Sequence, residues 1–185
     1  MLAPKLRIKI AGVDILFGLS SRFLAEQYQN YFGMLSRGQF EEALESFVEY
    51  KHDLNIRNKR IVTTFDKTKY LRFDYTPAAS LKSQTYDVTV GYSQVFNVPQ
   101  IYFHVIDPEG SVDLNVDNVV SKFQSNIRTE GEGTMAYGVS LDVHPIDCTG
   151  CFTIHPCQTA EIMSEMTDLG KDMYLVSFWN LYSLY

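Results

Sequence analysis

No stretch of the sequence holds the roughly 20 consecutive apolar residues that span a bilayer, so stable membrane insertion is not expected. Basic charge is in deficit too. Sixteen Lys and Arg face 22 Asp and Glu, a formal charge of −6, which leaves no electrostatic footprint for nucleic acid. The chain shows no internal repeat, no low-complexity tract and no two-domain linker. Cysteine is scarce, with only Cys148, Cys151 and Cys157. An odd number cannot close a disulfide framework, and three thiols crowded into one short segment suit a reducing compartment, the cytoplasm or the nucleus. A signal peptide is not expected either. Lys5, Arg7 and Lys9 precede the apolar run from Ile10 to Leu19, but Asp14 interrupts that run and no clean cleavage site follows. A strand or helix packed on the domain is the reading taken.

What is present is ordinary globular material rich in aromatics. The 185 residues are 45% hydrophobic and 21% charged, with twelve Tyr and twelve Phe. A chain of this size buries about 70% of its unfolded surface, enough for one core. Ser20 to Tyr31 reads as a short helix. Ser36-Arg37-Gly38-Gln39 is a capping-box pattern. Phe40, Ala43, Leu44, Phe47 and Val48 follow at helical spacing, predicting an amphipathic helix over Gln39–Lys51. From Arg60 onward the period shortens to two. Strands are expected at Tyr70–Tyr75, Tyr86–Ser93 and Gln100–Ile106, with a connection at Gln94–Pro99 and a turn at Asp107-Pro108-Glu109-Gly110. Asp117–Gln124 reads as a short helix and Thr129–Thr134 as a loop. Cys151–Ile154 is extended, Gln158–Asp168 helical with Gly170 as terminator, and Met173–Leu184 a buried closing helix or strand. Locally joined antiparallel strands with helices make an α+β domain.

The chemistry gathers in His144, Cys148, Cys151, His155 and Cys157. Zinc is one reading, since Cys148 and Cys151 have knuckle spacing and a histidine stands on each side. A second knuckle is missing, and His52 and His104 are scattered, so no metal site is expected. Redox chemistry is another, because Cys148-Thr149-Gly150-Cys151 has dithiol spacing. Such motifs open a helix after a strand in a βαβ unit, whereas this one precedes a strand. Two incidental small residues explain it as simply. The third reading is nucleophilic catalysis by Cys157. A strand ends at Ile154, the chain turns at Pro156, and a helix starts beyond Cys157, so the sulfur lies where exposed amides favour a thiolate. A buried structural cysteine after a proline turn fits the same residues, and the local pattern leaves both open.

The run His155-Pro156-Cys157-Gln158-Thr159-Ala160-Glu161-Ile162-Met163 resembles the active-site motif of the autophagy E2-like conjugating enzymes. Tyr86–Tyr92, then Ser93 to Pro99, then Ile101-Tyr102-Phe103 resembles that family's central strand pair. The resemblance covers about residues 36–185, as an E2-like catalytic domain, and leaves 1–35 as an amino-terminal arm without an assigned role. It implies an E2-like fold with an antiparallel sheet of about four strands flanked by helices. It also implies that Cys157 accepts a ubiquitin-like modifier as a glycyl thioester from an E1-like activating enzyme. The modifier then passes to a lysine of an acceptor protein during autophagosome formation. No cofactor is needed, because the activator performs the ATP chemistry. One family branch conjugates to lipid and carries a large acidic insertion and a tail beyond the last helix. This chain shows neither, and so looks more like the protein-conjugating branch. No His-Pro-Asn run supplies an oxyanion donor, and by motif position His155 is the candidate for oxyanion or orienting support. Phe96 stands where relatives carry tyrosine, keeping the ring without the hydroxyl. Phe96 and Asn97 are expected beside the cysteine as binding residues.

Overall fold

The structure, a computed structural model, describes residues 7–10, 13–16, 33–51, 55–77, 84–117, 119, 138–164 and 171–182. Near the amino terminus, β1 (Arg7–Ile10) and β2 (Val13–Leu16) form an antiparallel hairpin separate from the main sheet. Of the apolar run, Ile10 and Val13–Leu16 with Asp14 are strand, and the rest lies outside the described residues. The reading of Ser20–Tyr31 as helix lies outside the described residues.

The capping box closes as the sequence requires. Ser36 Oγ accepts from Gln39 N at 3.3 Å, and Ser36 N donates to Gln39 Oε1 at 2.8 Å. It starts α1 (Arg37–Glu49), which buries Phe40, Ala43, Leu44 and Phe47. Four long strands follow, β3 (Ile56–Thr63), β4 (Lys69–Tyr75), β5 (Thr85–Ser93) and β6 (Val98–Ile106), then the short β7 (Val112–Asp113). A hairpin of β8 (Val139–Val143) and β9 (Gly150–Ile154) completes the sheet. A 3-10 turn (Pro156–Gln158) leads into α2 (Thr159–Ser164), and a second such turn (Lys171–Met173) into α3 (Tyr174–Tyr182).

The strand order is β3-β4-β5-β6-β9-β8, with β7 continuing beside β6, and every pairing is antiparallel. The α+β class is therefore as expected, and the sheet is wider than about four strands. Seven strands stand in it among the described residues. The additions lie at the margins. In β3 the register shifts between Arg57 and Arg60, and Asn58 takes φ +54°, so a bulge breaks the period-two pattern. β8 is an edge strand whose residues are almost all exposed.

One face of the sheet is apolar. Phe73, Tyr75, Val88, Phe103 and Phe152 are buried there with Phe47 of α1 and Trp179 of α3. Trp179 meets Phe73 and Tyr75 edge-on, with centroids 4.8 and 5.0 Å apart. Each such side chain contributes about 1.5–3 kcal/mol on burial. The alternate residues make a polar second face. There Arg72 pairs bidentately with Asp87 and reaches Asp147, with shortest distances of 2.6 and 2.9 Å. His144 is fully buried on Thr89.

Among the described residues no helix is long and apolar enough to cross a membrane. Of the remaining expected elements, Val119 N donates to Asn115 O at 3.1 Å, one turn at the start of the helix read at Asp117–Gln124. The rest of that helix, the Thr129–Thr134 loop and Gly170 lie outside the described residues.

Candidate active site

Three segments converge at one end of the sheet. The β5–β6 connection is a tight turn, Gln94–Asn97, shorter than the sequence suggests. Asn97 closes it with φ +55° and an N–H donated to Ser93 O at 2.8 Å, a left-handed position that asparagine tolerates. Pro99 is already in β6, opposite Tyr92. β9 pairs with β6 through Ile154 opposite Ile101, so the chain leaving β9 emerges beside this turn. The segment before α1 arrives at the same place, where Leu35 N donates to Asn97 O at 2.8 Å.

Cys157 lies in the 3-10 turn between β9 and α2, and its side chain is exposed. A structural cysteine hidden behind a proline turn is not what the fold builds, because Pro156 is the buried residue and Cys157 faces outward. The backbone around the sulfur is held on both sides. His155 N donates to Gly138 O at 2.9 Å. Thr159, 2% exposed, is 2.9 Å from Tyr182 Oη and so ties the start of α2 to α3.

His155 is the histidine of this site. Its Nδ1 accepts the Cys157 amide at 3.2 Å. A backbone N–H only donates, so Nδ1 carries the lone pair, and the neutral ring holds its proton on Nε2. That Nε2–H has no partner among the described residues. The Phe96 ring meets the imidazole edge to face at 5.4 Å and 74°, which fixes the plane of the donor. The contact of Phe96 is with His155. Asn97 is turned inward: Tyr92 Oη lies 3.0 Å from Asn97 Oδ1 and 2.7 Å from Leu35 O, sharing its one proton between them.

The other thiols do not join this group. Cys151 is buried on the polar face of the sheet, and burial, with Asp142 adding to it, pushes its pKa up to about 11. Cys148 is exposed in the β8–β9 loop at φ +55°. All three cysteines are free, so Cys148 and Cys151 form no disulfide. Among the described residues no set of three or more His, Cys, Asp and Glu side chains is grouped to hold a metal ion. His144 instead caps its own loop. Its Nδ1 accepts from Asp147 N at 3.1 Å and from Ile146 N at 3.4 Å. The sequence reading did not find Leu35 and Gly33 as neighbours of the site, because nothing local marks them.

No curated protein matches the sequence. Among solved structures the chain is similar to one titled "Solution structures of KmAtg10", at 19% identity and a TM-score of 0.48, covering 80% of this chain and 93% of that one. A family model described as "Autophagocytosis associated protein, active-site domain" matches residues 26–185, a span that includes Cys157 and every segment of the site. On that match the chain belongs to the family of autophagocytosis associated proteins.

Proposed function

We propose that this chain is an E2-like enzyme of autophagy that carries a ubiquitin-like modifier as a thioester on Cys157. The modifier would come from an E1-like activating enzyme and go to a lysine of an acceptor protein. The observation that carries this reading is an exposed Cys157 in the His-Pro-Cys motif of an autophagocytosis active-site domain, with its amide held by His155.

The reaction has two displacements. The Cys157 thiolate attacks the thioester carbonyl that joins the modifier's terminal glycine to the activator, and the activator's thiolate leaves. The neutral amine of an acceptor lysine then attacks the carbonyl on Cys157. The carbon–sulfur bond breaks, the thiolate is restored, and the proton of the attacking amine passes to solvent. Each step builds an oxyanion. With Nδ1 accepting the Cys157 amide, the His155 donor is Nε2–H, which has no partner among the described residues and supplies a hydrogen bond to the oxygen as charge develops. No cofactor takes part in either step.

The acceptor being a protein follows the branch resemblance, that of autophagy-related protein ten. No large acidic insertion separates the central strand pair from His155-Pro156-Cys157. The test is charging with activator, modifier and ATP. Wild-type chain should form an adduct that a thiol reductant removes. Cys157→Ser should give at most a reductant-resistant ester, and Cys148→Ala should charge normally. Absence of the adduct, or its persistence as a reducible species in Cys157→Ser, refutes the reading. Transfer from the charged chain to a lipid amine instead of a protein lysine would assign it to the other branch.

A further inference from the structure

Both flanks of Cys157 rest on one short segment that precedes α1, Gly33-Met34-Leu35. On one side, Leu35 N binds Asn97 O at 2.8 Å, and Tyr92 Oη reaches Leu35 O at 2.7 Å and Asn97 Oδ1 at 3.0 Å. These bonds hold the turn whose Phe96 ring rests edge-on against His155. On the other side, Gly33 lies against α2, the helix that begins two residues after Cys157. A Cβ on Gly33 would stand 2.2 Å from Ala160 O and 2.4 Å from Ser164 N, and its φ is +65°. Its carbonyl accepts Tyr174 Oη of α3 at 2.5 Å. Leu35 is 3% exposed in the core and anchors the segment between these contacts.

The β5–β6 turn is held by its own ladder and by Asn97 N on Ser93 O, whereas the Cys157 side has less of its own. The β9 ladder ends at Ile154, and α2 has six residues, too few to be stable by itself. The segment touches both flanks, and β6 also runs along the Cys157 turn and α2.

We propose that Gly33-Met34-Leu35 is a positioning strap that sets Cys157 relative to His155, with Tyr92 as the positioning residue that latches it. The inference rests on the reading of Cys157 as the thioester carrier. Its physical basis is that misplacing reacting groups by about 1 Å costs on the order of 100-fold in rate. Tyr92 acts at a distance, through Leu35, Asn97 and Phe96.

The test uses the full chain charged with modifier and follows single-turnover discharge to the acceptor. Tyr92→Phe deletes one hydroxyl and should slow discharge about 10-fold at saturating acceptor with the acceptor KM unchanged, while Gly33→Ala should slow it about 100-fold. Asn97→Asp keeps the Oδ1 acceptor and should discharge near the wild-type rate. Asn97→Gly keeps the backbone angle but loses the acceptor, and should match Tyr92→Phe. The double variant Tyr92→Phe with Asn97→Gly should be no slower than either alone, because they break one unit. Thr89→Val, destabilising but on the far face of the sheet, should discharge at the wild-type rate.

A second readout does not need the conjugation reaction. Amide hydrogen exchange at Cys157 should rise about 10-fold in Tyr92→Phe relative to core amides of β5 and β6, because its bond to His155 loosens. Discharge by Tyr92→Phe within twofold of wild type would overturn the strap. So would slowing of every variant, Thr89→Val included, in proportion to lost thermal stability, or unchanged exchange at Cys157. A wild-type chain that never charges removes the thioester reading, and the exchange measurement then decides the strap alone.

Discussion

Replacing Thr89 by valine tests the buried polar face with a single atom. Thr89 and His144 are both 0% exposed, and His144 Nε2 lies 3.0 Å from Thr89 Oγ1. His144 Nδ1 accepts two backbone amides, at 3.1 and 3.4 Å, so its proton is on Nε2 and Thr89 is the acceptor. Valine has nearly the shape of threonine and creates no cavity. The cost is an Nε2–H left buried and unpaired, about 1–3 kcal/mol. For a chain of this length each kcal/mol lowers Tm by about 2–4 °C, so a fall of roughly 2–12 °C follows from the same range. Urea titration should show a lower midpoint at an unchanged slope, since the surface exposed on unfolding is the same. A Thr89→Val chain within about 0.3 kcal/mol of wild type, below the cost of any unpaired buried donor, would refute the assigned tautomer and with it the account of how the β8–β9 loop is closed.

The same histidine makes stability depend on pH. Burial lowers the His144 pKa in the folded chain, with nearby Asp147 opposing that and His104 and Arg72 reinforcing it. The unfolded chain therefore binds the proton first. Stability should be fully present above about pH 6.5 and fall below it, by no more than about 1.4 kcal/mol per pH unit from this group; a flat profile between pH 5 and 7 in denaturant titrations would contradict this. Cys151, with its pKa pushed up to about 11, holds only about one thiolate in a thousand at pH 8. Mass spectrometry after iodoacetamide should show Cys148 and Cys157 modified in the native chain and Cys151 only in denaturant. Ser36→Ala removes the α1 cap and should cost about 0.5–2 kcal/mol in urea unfolding. A double-mutant cycle of Thr159→Val with Tyr182→Phe should give about 1 kcal/mol of coupling, and none if the 2.9 Å contact does not bind α2 to α3.

Several features were legible because they are local. The α1 cap and apolar face occupy adjacent turns. The strands β4, β5 and β6 are rich in β-branched and aromatic residues and fall within two residues of their expected ends. The nine residues from His155 to Met163 carry the active-site pattern in one contiguous run. Hairpin register follows from the tight turn between β5 and β6. By contrast, β3 was legible only in part, because a bulge and four polar residues in succession blur its period.

Composition and short-range pattern were thus enough to specify an α+β fold and to single out Cys157 at a strand-to-helix junction. They left its exposure undecided, since a proline turn suits a buried thiol as well as a reactive one. Only the tertiary structure separated the three cysteines, by burying Cys151 within β9 on the polar face and leaving Cys157 exposed at the end of the sheet. The surroundings of Cys157 were equally beyond the sequence. Phe96 comes from a turn about sixty residues earlier, and Gly33 and Leu35 from a segment more than a hundred residues earlier. Such contacts pair positions with no periodic or spacing relation, so they exist only once the sheet has set β5, β6 and β9 side by side.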